Sequence, residues 1–130
     1  MQKPRTLRLT IKKKWFDMIR SGEKTEEYRE IKPYWFTRLF LSAGNDLRLL
    51  DYWCKRLNSG DTWEFLCSLP NNPKYQKVEF VNGYKPDSPK VMLECLSISV
   101  RKGKPEWGAE PDKLYFVIKL GKIINEIIEE

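Results

Sequence analysis

Gly22-Glu23-Lys24-Thr25-Glu26-Glu27-Tyr28-Arg29 is the stretch on which the reading of this chain turns. Gly22 follows an amphipathic run and suits a helix end, because glycine takes the left-handed conformation at no steric cost. The residues after it alternate as a strand does. In an extended chain Thr25, Glu27 and Arg29 share one face, while Lys24, Glu26, Tyr28 and Glu30 share the other. Neither face is apolar. Such a strand is either a solvated edge or the floor of a polar cleft. As a solvated edge, a Glu27–Arg29 pair stabilises by roughly 0–1 kcal/mol. As a buried pair it matters more, because breaking one costs roughly 3–5 kcal/mol.

Upstream, Thr6 to Lys12 alternates, with Leu7, Leu9 and Ile11 opposite Arg8, Thr10 and Lys12, and predicts a half-buried strand. Lys13 to Ser21 predicts a helix with Trp15, Phe16, Met18 and Ile19 on its apolar side. These side chains are expected in the core, with a ligand role for Trp15 the lesser reading. Downstream, Lys24 to Ile31 is the polar strand. Lys32 to Leu41 predicts a second helix, with Pro33 in its first turn. Tyr34 and Trp35 there fit either core or base stacking.

Leu41 to Gly60 reads as an insertion carrying a short amphipathic helix over 47–57. Thr62 to Leu69 fits a strand or a buried connector. Lys77 to Val81 predicts a strand closed by Asn82-Gly83, a favoured hairpin pair. Lys90 to Val100 is apolar on both faces, which predicts burial on both sides. Glu94 inside it calls for a partner or a polar cleft. Arg101 to Asp112 is a loop around Trp107. Lys113 to Leu120 is the last long strand, expected to end at Gly121 before a short tail. This order predicts an α+β chain: a small closed or partly open β-barrel with flanking helices.

The chain has 130 residues, of which 41% are hydrophobic, 13% aromatic and 32% charged. That composition suits one globular domain over 1–130 and excludes disorder. The net charge of +6 favours an anionic partner. Three cysteines, Cys54, Cys67 and Cys95, with no C-x-x-C, argue against a disulfide framework and for a cytoplasmic setting. With no histidine, zinc ligands and the usual general base are missing, so no metal and no cofactor are expected. Met1 to Arg5 carries no apolar run, so no signal peptide is expected, and no segment is apolar enough to span a membrane.

Gly22, Lys24, Glu27 and Arg29 fit the pattern G-x-K-x-x-E-x-R. With the preceding Leu7–Lys12 strand and helix, and with Gly103–Pro111 and Tyr115–Ile118 downstream, the chain resembles the ASCH domain family, in particular small ASCH proteins of phages and bacteria. The resemblance touches both ends of the chain and implies a PUA-like β-barrel. It implies a cleft floored by Lys24, Glu27 and Arg29 and bordered by Lys12. PUA-like domains often read RNA, so RNA or a nucleoside or nucleotide ligand is the expected partner. Lys12, Lys24, Thr25, Glu27 and Arg29 are then ligand-binding candidates, with Tyr34, Trp35 or Trp107 stacking a base. Some ASCH proteins are amidohydrolases of acylated cytidine, in which the motif lysine assists a threonine nucleophile. The lysine corresponds to Lys24, but the nucleophile position falls on Glu27. Thr25, next in sequence, points to the other face of a regular strand. Other ASCH proteins resemble ribonucleases, for which Lys24 and Glu27 are the catalytic candidates. A protein-interaction module is the third reading.

Overall fold

The computed structural model describes residues 5–40, 47–60 and 75–127. Nine elements follow in chain order. They are β1 (Thr6–Thr10), α1 (Lys13–Arg20), β2 (Glu26–Arg29), α2 (Pro33–Phe40), α3 (Leu47–Asn58), β3 (Lys77–Val81), β4 (Lys90–Lys102), a 3-10 turn (Pro105–Trp107) and β5 (Leu114–Ile127). The stretch 62–69, read as strand or connector, lies outside the described residues, as does Cys67.

The five strands form one sheet in the order β1-β3-β4-β5-β2. β1 runs parallel to β3, and the other pairs are antiparallel. Only α1 separates β1 from β2 in sequence, yet they occupy opposite ends of the sheet. The chain can join them this way because the sheet curls into a half-barrel, bringing its two edges towards each other. The end of β1 and the Glu27–Arg29 part of β2 consequently line one cavity.

The alternation of β1 is borne out: Leu7 and Leu9 are buried, Arg8 and Thr10 exposed. They join Phe16 and Ile19 of α1, Phe36 and Leu39 of α2, Val78 and Phe80 of β3, and Phe116 and Ile118 of β5 in one core. Burial of large apolar side chains is the main favourable term here, at roughly 1.5–3 kcal/mol for each. The helix at 47–58 is no peripheral insertion, since Cys54 and Leu57 sit in the same core. On the other face of β5, Tyr115 and Val117 pack with Ala109 and Tyr28 in a second, smaller cluster.

Two expectations for the long strands need correction. β4 is not buried on both faces. Val91, Leu93 and Cys95 are buried, and then Ile98 and Val100 are, so the inward phase slips by one residue around Leu96. The register against β5 breaks at the same place, as β-bulges do. Leu96 itself is left about half exposed. β5 does not end at Gly121 but runs on to Ile127. Glycine is accommodated there for lack of space: a Cβ would stand 3.0 Å from Glu94 Cβ and from Leu96 Cδ2 across the bulge. Glu94 lies opposite Lys77 of β3, away from the cavity.

Two connections position the cavity. Between β3 and β4 the turn is longer than a two-residue hairpin, with the Asn82 N–H donating to Pro89 O at 3.0 Å. The Asn82 side chain donates to Ile11 O at 3.0 Å, which fixes the exit of β1. After β4, Gly103 lets the chain lie flat on Tyr28. A Cβ there would stand 2.6 Å from Ala109 Cβ and 2.9 Å from the Tyr28 ring. Overpacking of this kind typically costs about 1–3 kcal/mol. Gly103→Ala is expected to lower unfolding free energy by that amount, read as a lower urea midpoint at unchanged m-value.

Candidate functional site

The site begins with how α1 ends. Gly22 adopts φ +86°, and its N–H donates to Ile19 O at 3.1 Å. The Lys24 N–H donates to Met18 O at 3.0 Å, so the chain folds back on α1 before β2 starts at Glu26. Strict alternation would have set Lys24 on the face opposite Glu27. Because Lys24 precedes the regular strand, its side chain turns inward instead, and its Nζ donates to Glu27 Oε1 at 2.8 Å.

Lys24 is 1% exposed and Glu27 6%. The carboxylate of Glu27 is shared three ways. Oε1 also accepts the Tyr28 N–H at 3.1 Å, and Oε2 accepts Arg29 Nη2 at 3.1 Å. Trp15 and Tyr28 flank the Lys24 ammonium, whose Nζ lies 5.2 and 5.3 Å from their ring centroids. Arg29 lies over Trp35 at 4.9 Å, and Arg38 approaches the same ring at 5.3 Å. The Nε of Arg29 is buried and has no hydrogen-bond partner. An unpaired buried donor of this kind is unusual.

Above this triad opens a cavity of about 460 Å³. Small-molecule sites commonly fall within roughly 300–1,000 Å³. Of the residues singled out from sequence, Lys12, Glu27, Arg29, Trp35 and Trp107 line it. Lys24 lies beneath, screened by Trp15 and Tyr28. Thr25 does not line it: the residue is exposed, and its carbonyl accepts the Leu120 N–H at 2.9 Å. Tyr34 also lies outside, 62% exposed and edge-on to Trp35.

Trp15, for which a ligand role was the lesser reading, also lines the wall. Sequence reasoning missed other wall residues: Tyr28 and Tyr115 supply aromatic wall, and Glu30, Lys32, Glu110 and Lys113 supply charge. Trp15 reaches the wall through Gly108. That residue has φ +102°, and a Cβ on it would sit 3.0 Å from the indole. No local pattern announces this contact between a helix near residue 15 and a turn near residue 108.

A second polar group braces β2 from outside. Tyr28 Oη donates to Glu26 Oε1 at 2.9 Å and accepts the Lys104 N–H at 3.0 Å. Arg101 Nη2 donates to Glu26 Oε2 at 2.9 Å. Burial, joined by the Glu26 hydrogen bond, pushes the Tyr28 phenol up to about 12. Burial of Glu26 works in the opposite sense to its hydrogen bonds. Those from Arg101 and Tyr28, with the charges of Arg101 and Lys104, prevail and hold the carboxyl below its ordinary 4.5.

Among the described residues no three His, Cys, Asp or Glu side chains gather as a metal site. No described helix is long and apolar enough to cross a membrane. Comparison with family models, with curated proteins and with solved structures finds no match.

Two stability tests follow from this geometry. Lys24→Met leaves Glu27 buried without its main partner and is expected to cost roughly 3–5 kcal/mol in urea unfolding. Lys24→Met combined with Glu27→Gln is expected to cost less than the sum of the two single changes, since it removes both charges. For Glu26, the lowered carboxyl stabilises the fold above the unfolded value and loses that contribution as pH falls through the folded one. The stability gap between wild type and Glu26→Gln, measured by urea unfolding, is therefore expected at neutral pH and should shrink progressively as the solution is acidified below the ordinary 4.5.

Proposed function

We propose that this chain is an ASCH domain of PUA-like fold whose cavity binds RNA or a nucleotide-like ligand in the cytoplasm. The supporting observation is one arrangement. Three indoles, Trp15, Trp35 and Trp107, and the Arg29 guanidinium surround one open cavity over a buried ion triad. Every base offers a π-face, and an aromatic wall takes one at roughly 1–3 kcal/mol. Arg29, Lys12, Lys32 and Lys113 supply donors for carbonyl or phosphate oxygens. Glu27 and Arg29 of the pattern G-x-K-x-x-E-x-R line this cavity and Lys24 lies beneath it, which supports the reading.

Binding is favoured over hydrolysis by the state of the acid and the amine. The Glu27 carboxylate is already engaged by three donors. An ammonium held to that carboxylate, under two rings, does not meet a substrate without rearrangement. The hydroxyl next to it in sequence, Thr25, lies outside the cavity. Lys24 and Glu27 then act as a fixed polar floor that orients Arg29, and Arg29 makes the contact.

Trp107 gives the cleanest test, because it belongs to neither apolar cluster. Wild type is expected to bind labelled single-stranded RNA in fluorescence anisotropy, with affinity falling as salt rises. Trp107→Ala should weaken binding by about 1–3 kcal/mol at unchanged melting temperature. Absence of wild-type binding to RNA and to nucleotides at low salt would end this reading.

A further inference from the structure

A second cavity of about 480 Å³ adjoins the first. Its walls include Asn58, Ser59 and Gly60 after α3, Lys102 at the end of β4, and Leu114. Lys113 belongs to the walls of both cavities. Tyr115 lines the first and Leu114 the second, as expected for neighbours on opposite faces of one strand. Lys113 is thus a ridge at the tip of β5 with a depression on either side.

The ridge cation is lightly engaged. Lys113 Nζ lies 4.0 Å from Glu30 and 3.8 Å from Glu110, beyond hydrogen-bond length, and 5.2 Å from the Tyr115 centroid. Lys102 in the second cavity pairs with Asp112 at 3.3 Å, but that aspartate side chain is 90% exposed. Surface pairs of this kind hold weakly and exchange readily for another anion.

We infer that the ligand is a single-stranded polynucleotide, not a free nucleotide, that crosses Lys113 with one residue in each cavity and the linking phosphate on the ridge. This rests on reading the first cavity as a nucleotide site. A mononucleotide cannot place an anion between two base-sized hollows, whereas linked nucleotides do, and Lys102 beyond the ridge offers a further cation that a dinucleotide would leave unmet. The chemistry points to a single strand because bases must leave a duplex stack to enter either hollow. Lys102 then meets the next phosphate along.

The test compares a nucleoside monophosphate set, single-stranded RNA hexamers and a hexamer duplex, by tryptophan quenching across a salt series. The hexamer is expected to bind at least about tenfold tighter than the best monophosphate. Its log affinity should fall with log salt at a slope of about −1.4 or steeper, the value for two phosphates at about −0.7 each. Lys102→Glu should weaken the hexamer about tenfold and flatten that slope, with a thermal melt confirming the fold. Monophosphates that bind as tightly as the hexamer overturn the two-cavity inference and leave the nucleotide site standing. Duplex binding equal to single-strand binding also overturns it, as does a Lys102→Glu protein with unaltered hexamer affinity. If neither monophosphates nor hexamers bind, the nucleotide reading itself falls, and this inference with it.

Discussion

The structure depends on one shared carboxylate. Glu27 sits between a buried lysine and a half-buried arginine, and neither cation has another side-chain acceptor in the described structure that does this work. Removing charges from water is costly, and mutual attraction repays that cost only with good geometry and satisfied lone pairs. Here the geometry is set by the backbone. The turn after α1 aims Lys24 inward, β2 presents Glu27 and Arg29 on one face, and the Tyr28 N–H fills the remaining contact. If the turn shifted, a charge would be stranded inside the half-barrel. The triad therefore penalises any other placement of that turn and fixes the end of α1 against the edge of the sheet.

That tie explains why the curled sheet holds a cavity where it does. β1 and β2 terminate the sheet at opposite ends, and α1 bridges them. Main-chain hydrogen bonds anchor the bridge at both sides, through Ile11 to β3 and through Lys24 to α1. The gap between the edges is then neither closed by pairing nor filled by core. It is lined by whatever the chain carries at those places, which is Lys12 on one side and Glu27 to Arg29 on the other. The turn at 105–108 closes the wall, and the Tyr28 hydroxyl holds it by accepting the Lys104 N–H.

Local pattern was enough for most elements. Leu7 and Leu9, the apolar side of α1, and the Lys77–Val81 strand all stand as their periodicity predicts. It was not enough where the decisive contact is distant. The phase slip near Leu96 follows from β4 pairing with β5 through bulges, and residues 90–100 read alone cannot show it. Gly121 reads as a stop, but Glu94 and Leu96 reveal it as a close approach. Lys24 was assigned by alternation to the face opposite Glu27, because alternation was assumed to begin two residues early. Of the cavity, the charged motif and Lys12 were legible through the family resemblance, which implies a cleft there. Trp15 was read mainly as core, because its place in the wall depends on a turn about ninety residues away.

The same geometry encloses a buried lysine. A lysine that acts as a base must lose its proton readily, which requires burial without a counter-ion or the push of a neighbouring cation. Lys24 has the burial and also a counter-ion, Glu27 Oε1 at 2.8 Å from its Nζ. The rings of Trp15 and Tyr28 flank the same nitrogen at 5.2 and 5.3 Å. The charges that the cavity presents directly are those of its walls, Lys12, Arg29, Glu30, Lys32, Glu110 and Lys113, while Lys24 stays beneath them as part of the floor.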